Sequence, residues 1–176
     1  MRLLLPLTAA SLLALTACQK SAEPKTEDMT FVIKSSSGEA IGNLVLSDAG
    51  DKGVALKVDA TNIPEGPHGI HFHVKADCQA PDFKSAGGHI NPEGHKHGLK
   101  NPDGPDNADM PNAVADADDN LSYSYTNERV TLKKRDDRPA LLDADGSSLM
   151  IHINADDQVT QPIGGAGARI ACAEIK

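Results

Sequence analysis

Nothing in this sequence sets up a long helix: no stretch keeps an apolar period of three to four residues, so short extended segments must build the core. No internal repeat is present, which excludes a solenoid. Net positive charge is lacking as well. Seventeen Lys and Arg stand against 25 Asp and Glu, a formal charge of −8, and a chain without a basic footprint is not built to bind nucleic acid. An anionic small molecule would need a local reversal of that field. Apolar residues make up 39%, no large excess, and the apolar stretch from Leu3 to Leu15 is too short to cross a bilayer. Cysteine is scarce, with three in all.

What is there begins with a leader. Met1-Arg2 carries positive charge, an apolar run follows, and small residues close it, so residues 1–17 are expected to be a secretory signal. Leu15-Thr16-Ala17-Cys18 resembles the lipobox of bacterial lipoproteins. That resemblance implies lipidation at Cys18, and Gln19 in place of an aspartate favours the outer membrane. The alternative is ordinary cleavage that leaves Cys18 free. Residues 18–29 hold Lys, Ser, Glu, Pro and Thr with little to bury and suit a flexible tether, which leaves residues 30–176 as one domain. With Cys18 assigned to the lipid, Cys78 and Cys172 form an even pair in an oxidising compartment. A disulfide between them would contribute about 4–5 kcal/mol by loop-closure entropy; the alternative is a thiolate acting as a metal ligand.

Period-two alternation marks the strands. Val54, Leu56 and Val58 alternate with Ala55, Lys57 and Asp59, and Leu121, Tyr123 and Tyr125 with Ser122, Ser124 and Thr126. Further strands are expected at Phe31–Lys34, Ile41–Ser47, Gly69–Val74, Ala113–Ala117, Leu149–Asn154 and Arg169–Ile175, between turns rich in Gly, Asp, Asn and Pro. The fold class is therefore all-β, an eight-stranded antiparallel sandwich or barrel. Two gaps, Lys75 to Asn112 and Ala155 to Ala168, are too long for hairpins and are expected to be functional loops.

Of seven histidines, six fall between positions 68 and 97. In the 69–74 strand His71 and His73 share a face about 7 Å apart, opposite Ile70 and Phe72. With the apolar pair buried, both imidazoles face outward. By the same parity Leu149, Ile151 and Ile153 enter the core and His152 faces out. Two strands and a loop histidine can then converge on one transition metal, and three or four nitrogen donors suit copper or zinc. His68 has the opposite parity and is expected to be structural. His95 is expected on the surface, with a possible role as a reserve ligand.

Gly69-Ile70-His71-Phe72-His73, Cys78, Gly87-Gly88-His89-Ile90-Asn91-Pro92, Lys96-His97-Gly98, Asp109-Met110-Pro111, Met150-Ile151-His152 and Gly167-Ala168-Arg169-Ile170-Ala171-Cys172 resemble, in order, the motifs of copper/zinc superoxide dismutases. The short spacing from His73 to Cys78 resembles the bacterial branch. The resemblance implies a Greek-key fold and a dismutase of superoxide that works by copper redox cycling outside the cytoplasm. It implies copper ligands His71, His73, His89 and His152, with His89 bridging to zinc and serving catalysis through its proton. His97 and Asp109 would bind zinc. Where the family places a third zinc-only histidine this chain has Asp106, which can also ligate zinc but brings a second negative charge. Asp156 would orient histidines of both metals, and Arg169 would guide the anion in. Ile170 and Cys172 share parity, so core positions for them would place Arg169 on the outer surface. The rival readings are a copper- or zinc-binding lipoprotein without catalysis and an adhesive sandwich; the second gives no reason for outward histidines on two strands.

Overall fold

Val54, Leu56, Val58 and Ala60 are buried while Lys57 and Asp59 are exposed, and this period of two makes the segment one strand of a sheet with a wet outer face. A computed structural model describes residues 27–176; the expected signal segment, Cys18 and most of the tether lie outside them. Among the described residues nine strands form: β1 Met29–Ser35, β2 Ala40–Asp48, β3 Val54–Ala60, β4 Gly66–His68, β5 Ile70–His73, β6 Ala113–Ala115, β7 Leu121–Asn127, β8 Ser147–His152 and β9 Arg169–Ile175. The sequence led to eight. The extra one, β4, is three residues long with Pro67 at its centre, and proline suits it to the edge it occupies. β1 begins one residue before the expected domain start, and just ahead of it Ser47 Oγ donates to Asp28 at 2.5 Å.

The strands run antiparallel in one sheet ordered β4-β6-β7-β3-β2-β1-β9-β8-β5. The two edges, β4 and β5, are consecutive in the chain, separated only by Gly69. The chain therefore passes from one edge to the other at a single residue and rolls the sheet into a nearly closed barrel. A side chain cannot be added at that crossing. A Cβ on Gly69 would lie 2.9 Å from the Ala166 methyl and 3.2 Å from the His71 ring. The backbone of Gly69 instead donates to Asn154 O at 2.8 Å and accepts from His152 N at 2.9 Å, tying it to β8.

The barrel interior is mostly aliphatic, with one phenylalanine: Leu44, Leu46, Val58, Ile70, Phe72, Leu149, Ile151, Ala171 and Ile175 are among its buried residues. Fully burying a side chain such as Phe72 contributes about 1.5–3 kcal/mol. A second small cluster of Phe83, Ala86, Met150 and Cys172 lies apart from this core, with Cys78 packed against it.

Two expectations about faces change here. Cys172 belongs to the second cluster, while Ala171, Ala173 and Ile175 enter the barrel, so β9 carries the opposite parity to the expected one. The register supplies the reason: Ile151 pairs with Ala171 but His152 with Arg169, which leaves Ile170 as an extra residue in a bulge. The bulge resets the alternation and puts Arg169 on the outer face after all, beside His152. Beyond it β8 ends, so Ile153 is 37% exposed rather than in the core.

Candidate metal centre

Both β5 and β8 are buried on both faces. Parity set the outward direction of His71, His73 and His152 correctly, but each is 1% exposed or less, because the long loops lie over that face. His89 arrives from the first loop. Ile90 N donates to Phe72 O at 3.1 Å and Val74 N to Gly88 O at 3.0 Å, so residues 88–90 run along β5 and His89 bridges to His73. Ring centroids stand 4.3 Å apart for His71–His89, 5.1 Å for His71–His152, 5.3 Å for His73–His89 and 6.0 Å for His73–His152.

Each of these imidazoles is tethered through one nitrogen and bare at the other. His71 Nε2 donates to Asp156 Oδ2 at 2.8 Å, His73 Nδ1 to Gly87 O at 2.9 Å, and His152 Nδ1 to Gly167 O at 3.0 Å. His89 Nδ1 lies 2.9 Å from Asp106 Oδ2. The opposite atoms, His71 Nδ1 and the Nε2 atoms of His73, His89 and His152, are buried with no hydrogen-bond partner. Four unsatisfied nitrogens in one place carry a desolvation cost. With the proton on the tethered side, each presents a lone pair, the donor set a copper ion takes. The residues fit the metal.

Burial supplies the matching electrostatics. It pulls His71 down to about 3 and His152 to about 4, and holds His73 well below the ordinary histidine value, so these three are neutral at pH 7 in the metal-free chain. Asp156 is held well below the carboxylate range: burial would raise it, but hydrogen bonds from His71, His97 and the Gln158 amide outweigh that. A Cβ at Gly164, whose φ is +60°, would sit 1.7 Å from Asp156 Oδ1, so glycine there gives the carboxylate its room.

The second half of the centre is carried by loop residues. Donor atoms of His89, His97, Asp106 and Asp109 all lie within 4.8 Å of one another, as do those of His71, His89 and His97. His73 and His152 belong to none of these tight groups among the described residues, and their place rests on the ring contacts and bare atoms above. His97 Nε2 donates to Asp156 Oδ1 at 3.0 Å, and its Nδ1 lies 2.5 Å from Asp109 Oδ1, out of hydrogen-bond alignment. Burial would lower His97, but the carboxylates of Asp109 and Asp156 hold it up at about 10. A buried histidine with two carboxylates around one point is a fit for zinc. Asp156, with one oxygen on His71 and the other on His97, links the two halves. Asn112 in turn fixes Asp156: its side chain donates to Asp156 O at 2.8 Å and accepts from Asp156 N at 2.9 Å.

Arg169 stands at the rim, partly exposed, its guanidinium donating to Phe83 O at 2.7 Å and Gly87 O at 2.6 Å. It is held by backbone carbonyls rather than by a carboxylate, with Asp82 the acid whose field reaches it. Gly87 O serves His73 and Arg169 alike. The loop that supplies these carbonyls is fastened by a disulfide between Cys78 and Cys172, which removes the thiolate-ligand alternative. His68 is buried with Nδ1 2.7 Å from His152 O and Nε2 2.6 Å from Pro64 O, the structural role its parity implied. His95 stays exposed beside Pro105 O at 3.2 Å, outside every donor group, and is no reserve ligand. The contributions of Gly87, Gly167, Phe83 and Asn112 escaped the sequence, since a carbonyl that accepts a hydrogen bond leaves no mark in residue type; Gly87, Gly167 and Phe83 share a positive φ.

Comparisons with known proteins agree with this geometry. A family description for copper/zinc superoxide dismutase matches residues 40–175. A copper/zinc superoxide dismutase of Caulobacter vibrioides is 48% identical over 148 residues, covering 84% of each chain. One from Aquifex aeolicus is 42% identical over 140 residues, 79% of this chain and 81% of that one. A superoxide dismutase-like protein from Bacillus subtilis, solved as a crystal structure, superposes with a TM-score of 0.80 at 34% identity, covering 84% of this chain and 97% of the other. On fold, donor set and sequence together, the chain belongs to the copper/zinc superoxide dismutase family.

Proposed function

We propose that the chain removes superoxide, converting two superoxide anions and two protons to dioxygen and hydrogen peroxide. The observation that carries this reading is the set of four buried imidazoles, each tethered at one nitrogen and bare at the other. His71 through Nδ1, and His73, His89 and His152 through Nε2, would hold copper. His89 through Nδ1, with His97, Asp106 and Asp109, would hold zinc. When bound, copper supplies a one-electron couple between two oxidation states, and zinc gives order to a segment with no strand of its own.

The chain's own residues do the rest. Arg169 places a positive charge, tethered by carbonyls rather than by a carboxylate, at the rim of an otherwise acidic molecule, the local reversal of field an anionic substrate needs. Its two carbonyl tethers fix that charge next to His73. His89 Nε2, the bare nitrogen of the ring between the two halves, is the atom placed to hold a proton and pass it to the reduced substrate. Asp156 keeps His71 and His97 oriented, and burial keeps His71, His73 and His152 neutral and available. The test is superoxide removal by the purified protein with and without copper. Rapid, copper-dependent removal is expected; stoichiometric copper without turnover would leave a copper-binding protein on the same fold.

The disulfide fits a compartment outside the cytoplasm. In this reading residues 1–17 are a signal peptide, Cys18 is the lipidated first residue of the mature protein, residues 18–29 are the tether, and residues 30–176 form the enzyme, facing the periplasm from the outer membrane. Support comes from the leader's charge and apolar run and from the lipobox-like Leu15-Thr16-Ala17-Cys18. Mass spectrometry of the mature N-terminus decides it: a diacylglyceryl group on Cys18 is expected, and an unmodified N-terminus elsewhere contradicts it.

A further inference from the structure

Asp106 and Asp109 divide their carboxylate oxygens. Asp106 Oδ1 accepts from the Ala108 amide at 2.9 Å while Oδ2 faces His89. Asp109 Oδ2 accepts from the amides of Gly98 at 2.7 Å and Asp106 at 2.9 Å while Oδ1 faces His97. Each side chain thus builds the turn with one oxygen and presents the other to the metal. Two carboxylates buried side by side repel each other, and this segment lies in a loop without strand pairing.

The segment is held from behind. Arg129, two residues past β7, donates through Nε to Asp106 O at 3.1 Å and through Nη2 to Asp109 O. Its fork grips the backbone of both carboxylate residues at once. Arg129 is itself fixed: its amide donates to Asn127 Oδ1 at 2.9 Å and its carbonyl accepts from Asn107 Nδ2 at 3.0 Å. Asn127, fully buried at the end of β7 and paired with Val54, donates in turn to Asn107 O at 2.9 Å. The turn is thereby registered against the sheet through a planar group that is always charged.

We propose that Arg129 is a positioning residue of the second metal site: it sets the spacing of the Asp106 and Asp109 ligands through their carbonyls. It also places a fixed positive charge next to a ligand set that carries one more negative charge than a histidine at 106 would give. The proposal rests on the reading that His89, His97, Asp106 and Asp109 hold zinc. Lysine could supply the charge but not the two-pronged grip, so the two contributions separate.

The experiment titrates the metal-free full chain with cobalt(II), read by its visible d–d bands, and with zinc in competition with a chromophoric chelator, for wild type, Arg129→Met, Arg129→Lys and Asp109→Ala. Arg129→Met is expected to weaken zinc by about 10–100-fold, the usual effect of losing a group that orients ligands, and to shift the cobalt bands. Arg129→Lys is expected to regain part of the affinity but not the wild-type bands. Copper affinity and the melting temperature of the metal-free chain should stay near wild type in both. Wild-type affinity and bands in Arg129→Met overturn the proposal, and so does a zinc loss matched by equal losses of copper affinity and metal-free stability. Should Arg129→Met not fold, wild-type bands in Arg129→Lys overturn it alone. A wild type whose titrations are the same as those of Asp109→Ala sinks the zinc-site reading, and this proposal with it.

Discussion

The two halves of the metal centre solve the same problem by opposite means. The half proposed to hold copper hangs on strands: His71 and His73 on β5, His152 on β8, with ladder hydrogen bonds fixing their spacing. Burial keeps these imidazoles uncharged, so their nitrogens are free without displacing a proton. The half proposed to hold zinc hangs on a loop, and in the metal-free chain the carboxylates of Asp109 and Asp156 keep His97 protonated. Donors from a sheet are preorganised; donors from a loop must be held together by charge. Asp156 and His89 join the two regimes.

Breaking the strand half should have the largest effect. His73→Ala removes a copper donor together with the Gly87 tether, and turnover measured by superoxide decay should fall to that of the metal-free chain while zinc is kept. Opening the disulfide loosens instead the loop that tethers His73 and Arg169. Cys172→Ser should cost about 2–5 kcal/mol in denaturant unfolding, and it should free the Phe83 and Gly87 carbonyls that hold Arg169.

Arg169→Ala leaves both halves standing and removes the charge between substrate and copper. Its kcat/KM should fall about tenfold or more, and the salt dependence should flatten, since steering of this kind alters association by about 10–10³-fold. The gentlest probe is the proton. At pH 7 zinc must displace the His97 proton, held up to about 10, so zinc affinity should rise about tenfold per pH unit below that value. His71, at about 3, and His152, at about 4, carry no proton on the copper-facing nitrogen for a metal to displace at pH 7. Calorimetry in buffers of different ionisation enthalpy should accordingly show more protons released by zinc than by these copper donors.

The same groups set the stability of the metal-free chain. His71 and His152 have lowered values, so below pH 6.5 the unfolded chain takes up more protons and stability falls towards pH 4. His97 has a raised value, so its contribution is complete below 6.5 and is lost as pH climbs to about 10. From these groups a stability maximum is expected near pH 6.5, with decline on both sides in thermal melts.

What was legible in the sequence follows from where the physics is local. Alternation in β3 and β7 exposed the strands, and the parity of His71 and His73 exposed the copper face, because side-chain direction in a strand depends only on count. The bulge at Ile170 was invisible for the same reason: one uncounted residue reverses every later inference, and the placement of Cys172 failed on it while Arg169 came out right. Outwardness was mistaken for exposure, since loops that cover a face leave no period. Asp106 became a ligand candidate through the family resemblance, as a carboxylate where the family has a histidine, but Arg129 could not be found, because its partners are carbonyls that every residue carries.

The division of the centre is tested most directly by metal content after exhaustive dialysis of His73→Ala and Asp109→Ala loaded with both metals. The account predicts that His73→Ala keeps zinc and loses copper, and that Asp109→Ala keeps copper and loses zinc. Loss of both metals from either variant, or retention of both by either, would contradict it.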